Sequence, residues 1–249
     1  MDALLEVSEL AVGYGPLTVA HDLNFEIFPG QVSLLMGPNG AGKTTTLLTI
    51  GGALPAKHGT VRWKGDPLVG PMHRRVDKGL AYLSDERGTI SRLTAAENLR
   101  LAKGSVSHAL ALFPELSSHL HRRAGLLSGG QQKMLSLALA LSRGPALLLA
   151  DELSLGLAPQ IVERLLLAVR QAADDGTAVL LVEQHARRAL DIADTVSVLV
   201  NGRQLVSGPT REVRPEVERV LTGGYLAAAA AEARTGSVTG GGPAGPRTD

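Results

Sequence analysis

Between Leu23 and Ile27 the chain alternates, with Leu23, Phe25 and Ile27 on one face and Asn24 and Glu26 on the other. Pro29 and Gly30 then turn it into the unbroken apolar run VSLLM, residues 32–36. A period of two followed by a turn predicts two successive strands, the second buried on both faces. GTVRWKG (59–65) and GLAYL (79–83) read as two more short strands. From about Arg92 to Gly125 the texture changes to short helical pieces, TAAENLRLAK and SHALALF, interrupted by Gly104 and Pro114. Beyond them helix and buried strand alternate. The helix QQKMLSLALALSR leads to the strand ALLLA. Next comes PQIVERLLLAVRQAA, with Pro159 in its first turn and Ile161, Leu165, Leu166 and Val169 along one face. The strand AVLLV, the helix ARRALDIA and the hairpin TVSVLVNGRQLVSG follow, the hairpin marked by the Asn201-Gly202 turn.

Helices alternating with buried strands predict an α/β fold around a largely parallel sheet. The early antiparallel strands form an N-terminal β portion, and about 90–143 form an inserted α-helical subdomain. After Tyr225 the chain becomes LAAAAAEARTGSVTGGGPAGPRTD, which has too little apolar area to offset the entropy of ordering. The expected organisation is one domain over residues 1–225 and a low-complexity, disordered tail over 226–249.

Composition sharpens this reading. Hydrophobic residues make up 44% of the 249 and aromatics 3%, so the core must be built from Leu, Val, Ile and Ala, as in strands covered by helices on both sides. Lys and Arg number 25 against 24 Asp and Glu, far from the basic excess that non-specific nucleic-acid binding requires. No cysteine is present, which excludes disulfides, thiolate-ligated zinc and a thiol nucleophile. The start, MDALLEVSEL, lacks a basic region followed by an apolar run and does not read as a secretory signal. No stretch approaches 18 uninterrupted apolar residues, so a membrane span is not expected.

Chemistry concentrates in three places. GPNGAGKTT, residues 37–45, fits the phosphate-loop pattern GxxxxGK[ST] between a buried strand and a helix. The loop Gly37, Pro38, Asn39, Gly40, Ala41 and Gly42 would turn its backbone N–H groups, all but that of Pro38, which has none, around phosphate oxygens at the positive end of a helix. Lys43 would reach the β and γ phosphates, and the Thr44 hydroxyl, beside Thr45, would ligate Mg²⁺. ALLLADE places Asp151 at the end of an apolar strand, where such a loop needs an acid for its metal. Glu152 follows, where a carboxylate can polarise an attacking water.

The third place, LLSGGQQKM (126–134), looks like a second anion receptor: Ser128 caps a helix, and Gly129, Gly130 and Gln131 offer amides at its N-terminus. One nucleotide already has its phosphates cradled by Lys43. The economical reading is that the second receptor closes over a nucleotide held by another subunit, making the active site composite and the working unit a dimer.

The order of phosphate loop, LSGGQQ, LLLADE and LVEQH resembles the ATP-binding subunit of an ABC transporter, over about Leu4 to Gly208. The resemblance implies a phosphate-loop NTPase fold of the ABC ATPase type, with ATP and Mg²⁺ bound and ATP hydrolysed. It implies that Tyr14 stacks on adenine, although by itself a tyrosine there reads as a core or edge aromatic. It implies that His185 is the switch histidine at the γ-phosphate. SLGLAP, LVEQHA and SRLTAAENL are most similar to the ATPases of branched-chain amino acid uptake, with urea and short-amide importers as neighbours. Integral membrane permease subunits and a second ABC ATPase chain are then the expected partners. A substrate-binding protein would act indirectly, and the location would be the inner face of the cell membrane.

The chain departs from the family pattern at three positions. Where most members carry a metal-sensing Gln, LSDERG offers Asp85 or, one residue on, Glu86. Leu153 stands where Pro commonly follows the catalytic Glu, and Ala158 replaces a common Asp. A soluble non-transport ABC ATPase and a low-activity member of a heterodimeric pair share these motifs and stay open as alternatives.

Overall fold

The computed structural model describes residues 2–84, 88–102, 104–184 and 187–223. Two sheets share the chain. The first is antiparallel, in the order β2-β1-β4-β5: β1 is Leu5–Tyr14, β2 Leu17–Ile27, β4 His58–Trp63 and β5 Asp66–Pro67. The second has β3 (Val32–Met36), β6 (Leu80–Leu83), β7 (Leu147–Asp151), β8 (Ala178–Glu183), β9 (Thr195–Val200) and β10 (Arg203–Pro209), in the order β10-β9-β3-β8-β7-β6. All its pairings are parallel except the β9–β10 hairpin. At that hairpin Asn201 and Gly202 both take positive φ, 49° and 77°, as the primed turn requires. The α/β expectation, with a mainly parallel core sheet and an N-terminal antiparallel portion, is met.

Alternation within the buried strands divides the interior in two. Leu34, Met36, Leu148, Ala150, Val179 and Leu181 point into a core shared with the helices. Leu35, Leu147, Leu149, Leu180 and Val182 point the other way, against β1, β2 and the helix α1, Lys43–Gly51. Residues of period two with both faces apolar are what a strand roofed on both sides demands. The Leu-rich, aromatic-poor composition serves that packing.

Four further helices matter for the site: α3 (Ala95–Leu101), α4 (Val106–Leu112), α5 (Gly129–Leu141) and α6 (Pro159–Asp174), with α2 (Met72–Asp77) preceding β6. α3, α4 and a 3₁₀ turn at Pro114–His119 pack with α5 in the region expected to be helical. α3 starts on a full capping box, the Thr94 hydroxyl accepting from the Glu97 amide while the Glu97 carboxylate accepts from the Thr94 amide.

One expectation needs amendment, and some elements were not anticipated. ARRALDIA was expected to be a helix, but its described residues make only a 3₁₀ turn, Ala189–Asp191. Ala189 and Leu190 are adjacent and both buried, so a single turn seats them before the chain enters β9. A helix the pattern did not suggest, α7 at Thr210–Gly223, runs through Pro215 and buries Val217 and Val220 beside β9 and β10. β1 was also missed, because a bulge between Val7 and Leu10, with Glu9 at φ 51°, shifts its alternation by one residue. The predicted tail at 226–249 lies outside the described residues.

Candidate active site

The register of the parallel sheet brings the chemistry together. Met36 at the end of β3 pairs with Glu183 at the end of β8, and Asp151 at the end of β7 pairs with Val182. The segments that follow these strands therefore leave from the carboxyl edge of the sheet, where open α/β folds bind ligands.

The loop after β3 carries Gly37, Pro38, Asn39, Gly40, Ala41 and Gly42 into α1, which starts at Lys43. Gly42 is the N-cap of α1 at φ 102°, and a Cβ on it would lie 2.8 Å from Ala20 Cβ, so both backbone and space call for glycine. Asn39, Gly40 and Thr44 form the exposed crest of the turn, while Ala41 and Thr45 are buried beneath it. Lys43 is only 4% exposed, and its ammonium donates to Gly37 O at 2.9 Å and Pro38 O at 3.1 Å. Burial pushes its pKa below the ordinary lysine value, opposed by the nearby Glu152, Asp151 and Glu183. An ammonium held by two loop carbonyls has donors that it could instead offer to phosphate oxygens.

Thr44 Oγ1 donates to Asp151 Oδ1 at 3.2 Å, joining residues 107 apart in sequence. Asp151 is 1% exposed. One hydroxyl and one carboxylate make a hard-oxygen pair that fits Mg²⁺, which completes its shell with water and phosphate rather than with an all-protein cage. No group of three or more His, Cys, Asp or Glu able to hold a metal occurs among the described residues.

Glu152 takes φ 45° and donates its amide to Val182 O at 2.9 Å, one step beyond the end of the β7–β8 ladder. Its side chain borders a cavity of about 250 Å³ with Ser154, Glu183, Gln184 and Arg188. Reading the sequence did not single out Glu183. It is 2% exposed, and its carboxylate accepts from Ser154 N at 3.0 Å and Ser154 Oγ at 2.5 Å. Burial pushes its pKa above the usual carboxylate value; the Ser154 bonds oppose that rise, and the neighbouring Glu152 adds to it. The hint available in the sequence was an acid ending an apolar strand in VLLVE, the same context that exposed Asp151. Gln184, on the cavity wall beside Glu152, is likewise a residue that the sequence pattern alone does not single out.

Ser128 is the N-cap of α5, closed by a capping box in which its hydroxyl accepts from Gln131 N while the Gln131 carbonyl oxygen accepts from Ser128 N at 3.0 Å. The other end of the Gln131 amide meets His119 Nε2 at 2.9 Å. Ser128 and Gly129 are exposed, and Gly130 packs towards Ile161 of α6, where an added Cβ would lie 3.0 Å from Ile161 Cγ2. Among the described residues no hydrogen bond links Ser128–Gln131 to the loop at 37–45. Tyr14 stands at the end of β1, 48% exposed, so its position is that of an edge aromatic rather than a core one. Asp85, its neighbour Glu86 and His185 lie outside the described residues.

A phosphate loop at the carboxyl edge of a parallel sheet, paired with a strand-end Asp-Glu, defines a nucleotide-hydrolysing α/β domain. The family model described as ABC transporter matches residues 20–154. The chain is 37% identical over 233 residues to the high-affinity branched-chain amino acid transport ATP-binding protein BraG of Pseudomonas aeruginosa, an alignment spanning 89% of this chain and 100% of that one. It is 35% identical to the probable branched-chain amino acid transport ATP-binding protein LivF of Archaeoglobus fulgidus, covering 84% and 94% of the two chains. Among solved structures, the ATP-binding subunit of an ABC transporter superposes with a TM-score of 0.73 at 27% identity, over 86% of this chain and 93% of that one. A nucleotide-free ATP-binding cassette superposes at 0.77 and 23% identity, over 89% and 96%, and speaks for the fold. The chain belongs to the ABC transporter family, and its activity is ATP hydrolysis coupled to transport.

Proposed function

We propose that this chain is the ATP-hydrolysing subunit of an importer for branched-chain amino acids, docked on permease subunits at the inner face of the membrane. No helix among the described residues is long and apolar enough to cross a membrane; in this reading the permease subunits build the path for the solute. The similarity to two branched-chain amino acid transport ATP-binding proteins, end to end in one case, supports the substrate class.

Lys43 and the amides of the loop hold the β and γ phosphates of ATP. Thr44 and Asp151 would hold Mg²⁺, which when bound would neutralise charge on the phosphate oxygens. Glu152 orients and polarises the water that displaces ADP from the γ-phosphorus, and Tyr14 offers its exposed ring to the adenine. Ser128, Gly129, Gly130 and Gln131 close over the γ-phosphate of a nucleotide held by a second ATPase chain. Leu126 and Leu155, exposed at 62% and 61%, are apolar surface that such a partner would cover. The observation that carries the hydrolytic reading is the Thr44–Asp151 bond, which joins phosphate loop and acidic strand end into one site.

The test is transport-coupled turnover. With its permease subunits in proteoliposomes, the chain is expected to hydrolyse ATP faster when a binding protein loaded with leucine, isoleucine or valine is present. Stimulation by a urea- or amide-loaded binding protein alone would contradict the substrate class.

A further inference from the structure

Three features around Glu152 converge on one pair of side chains. First, Glu152 is a non-glycine residue at φ 45°, a strained left-handed conformation that persists only where its surroundings impose it. Second, the backbone ladder between β7 and β8 ends with the Glu152 amide on Val182 O. Third, at the next residue of β8 the ladder is replaced by a side chain: both the amide and the hydroxyl of Ser154 donate to the Glu183 carboxylate. The backbone of Leu153, where a proline would have no N–H, also acts to lower the Glu183 pKa. Leu153 itself is 1% exposed, its side chain sunk in the helical core. Glu152 is thus pinned on both sides, before it through Val182 and after it through Glu183.

A carboxylate at 2% exposure is a costly way to fasten a loop, since an apolar pair of similar volume would avoid the desolvation. Its two oxygens, however, accept from two donors on one residue and so fix the direction in which the chain leaves β7. The 2.5 Å contact from the Ser154 hydroxyl is in the range of charge-assisted bonds. The same two residues line the cavity that Glu152 borders, so the bond lies beside the reacting carboxylate and not across the core.

We infer that Glu183 and Ser154 form a latch that holds Glu152 in its left-handed conformation and so aims its carboxylate at the attacking water. This rests on the reading of Glu152 as the group that polarises that water. Glu183 and Ser154 act through Glu152 and are positioning residues; neither is required to touch nucleotide. A positional error of about 1 Å at such a group costs on the order of 100-fold in rate, so loosening the latch should show in turnover rather than in nucleotide affinity.

The experiment compares Ser154→Ala, Ser154→Thr, Glu183→Ala and Glu152→Gln in the full chain, with steady-state and single-turnover ATP hydrolysis and melting temperature measured on each. Ser154→Ala and Glu183→Ala are expected to lower kcat at least about 10-fold with KM for ATP within about two-fold, and Ser154→Thr, which keeps the hydroxyl, to restore most of the rate. Added to Glu152→Gln, Ser154→Ala should cost nothing more in the single-turnover rate, because the residue it positions is already disabled. Should Glu183→Ala fail to fold, Ser154→Ala decides, since it removes one hydroxyl and leaves the Ser154 amide in place. Wild-type kcat in Ser154→Ala overturns the latch. So does a loss that multiplies with that of Glu152→Gln, which would place its action elsewhere. Near wild-type turnover in Glu152→Gln would instead reject Glu152 as the polarising group, a different failure that removes the latch's purpose along with it.

Discussion

Lys43 shows how one side chain is held for its task. Its ammonium is buried beside acids and donates to two loop carbonyls, and among the described residues no ion-pair partner lies at bonding distance. Lys43→Ala is expected to lower ATP hydrolysis by at least about 100-fold through lost stabilisation of the phosphates. A steady-state phosphate-release assay checks this, and near-normal turnover would reject the assigned role. At this scale the sequence was informative wherever chemistry imposes a local spacing. The phosphate loop, Asp151, Glu152 and the Ser128 cap all lie in short contiguous motifs beside a strand or helix end. Glu183 was hidden because its meaning lies in a bond to Ser154, 29 residues away, which no local pattern encodes. Gln184 needed the strand pairing to place it on the cavity beside Glu152.

Among the elements, α3 offers a test of capping by pH. The Glu97 carboxyl is held below the usual carboxylate value, first by the Thr94 amide and then by the Thr94 hydroxyl. With the folded value below the unfolded one, the contribution is present above the ordinary carboxylate range and is lost as pH falls through the lowered folded value. Glu97→Gln should therefore lower the melting temperature by about 1 °C at pH 7, with the gap to wild type closing as the medium is acidified. A gap that persists or widens at low pH would show that Glu97 acts by packing. The elements most directly legible in the sequence are those whose apolar period runs unbroken, such as β3, β7, β8, α5 and α6. β1 escaped because its bulge at Glu9 resets the alternation, and α7 because Pro215 interrupts a helix stabilised by Val217 and Val220 against the sheet. Tertiary contacts settled both.

For the molecule as a whole, the question is how the helical region moves with the nucleotide core. Arg164 on α6 ties them: its guanidinium bonds Leu112 O and the Glu115 carboxylate and lies 4.8 Å over the Phe113 ring. Arg164→Ala is expected to cost about 1 kcal/mol and to raise amide hydrogen exchange over residues 106–119 ahead of the β3–β8–β7 core. Uniform exchange across both would mean that the tie does not hold a separable unit. Domain arrangement of this kind follows from long-range pairs such as Arg164–Glu115, 49 residues apart, which explains why the sequence suggested an inserted helical segment and not how it is fastened.

In the proposed mechanism Ser128–Gln131 complete a nucleotide site on another chain. Light scattering of Glu152→Gln, with and without ATP and Mg²⁺, tests that most directly, because blocking hydrolysis should trap the closed pair. The expected result is a doubling of mass that depends on ATP; a chain that binds ATP and stays monomeric would contradict a site shared between two copies.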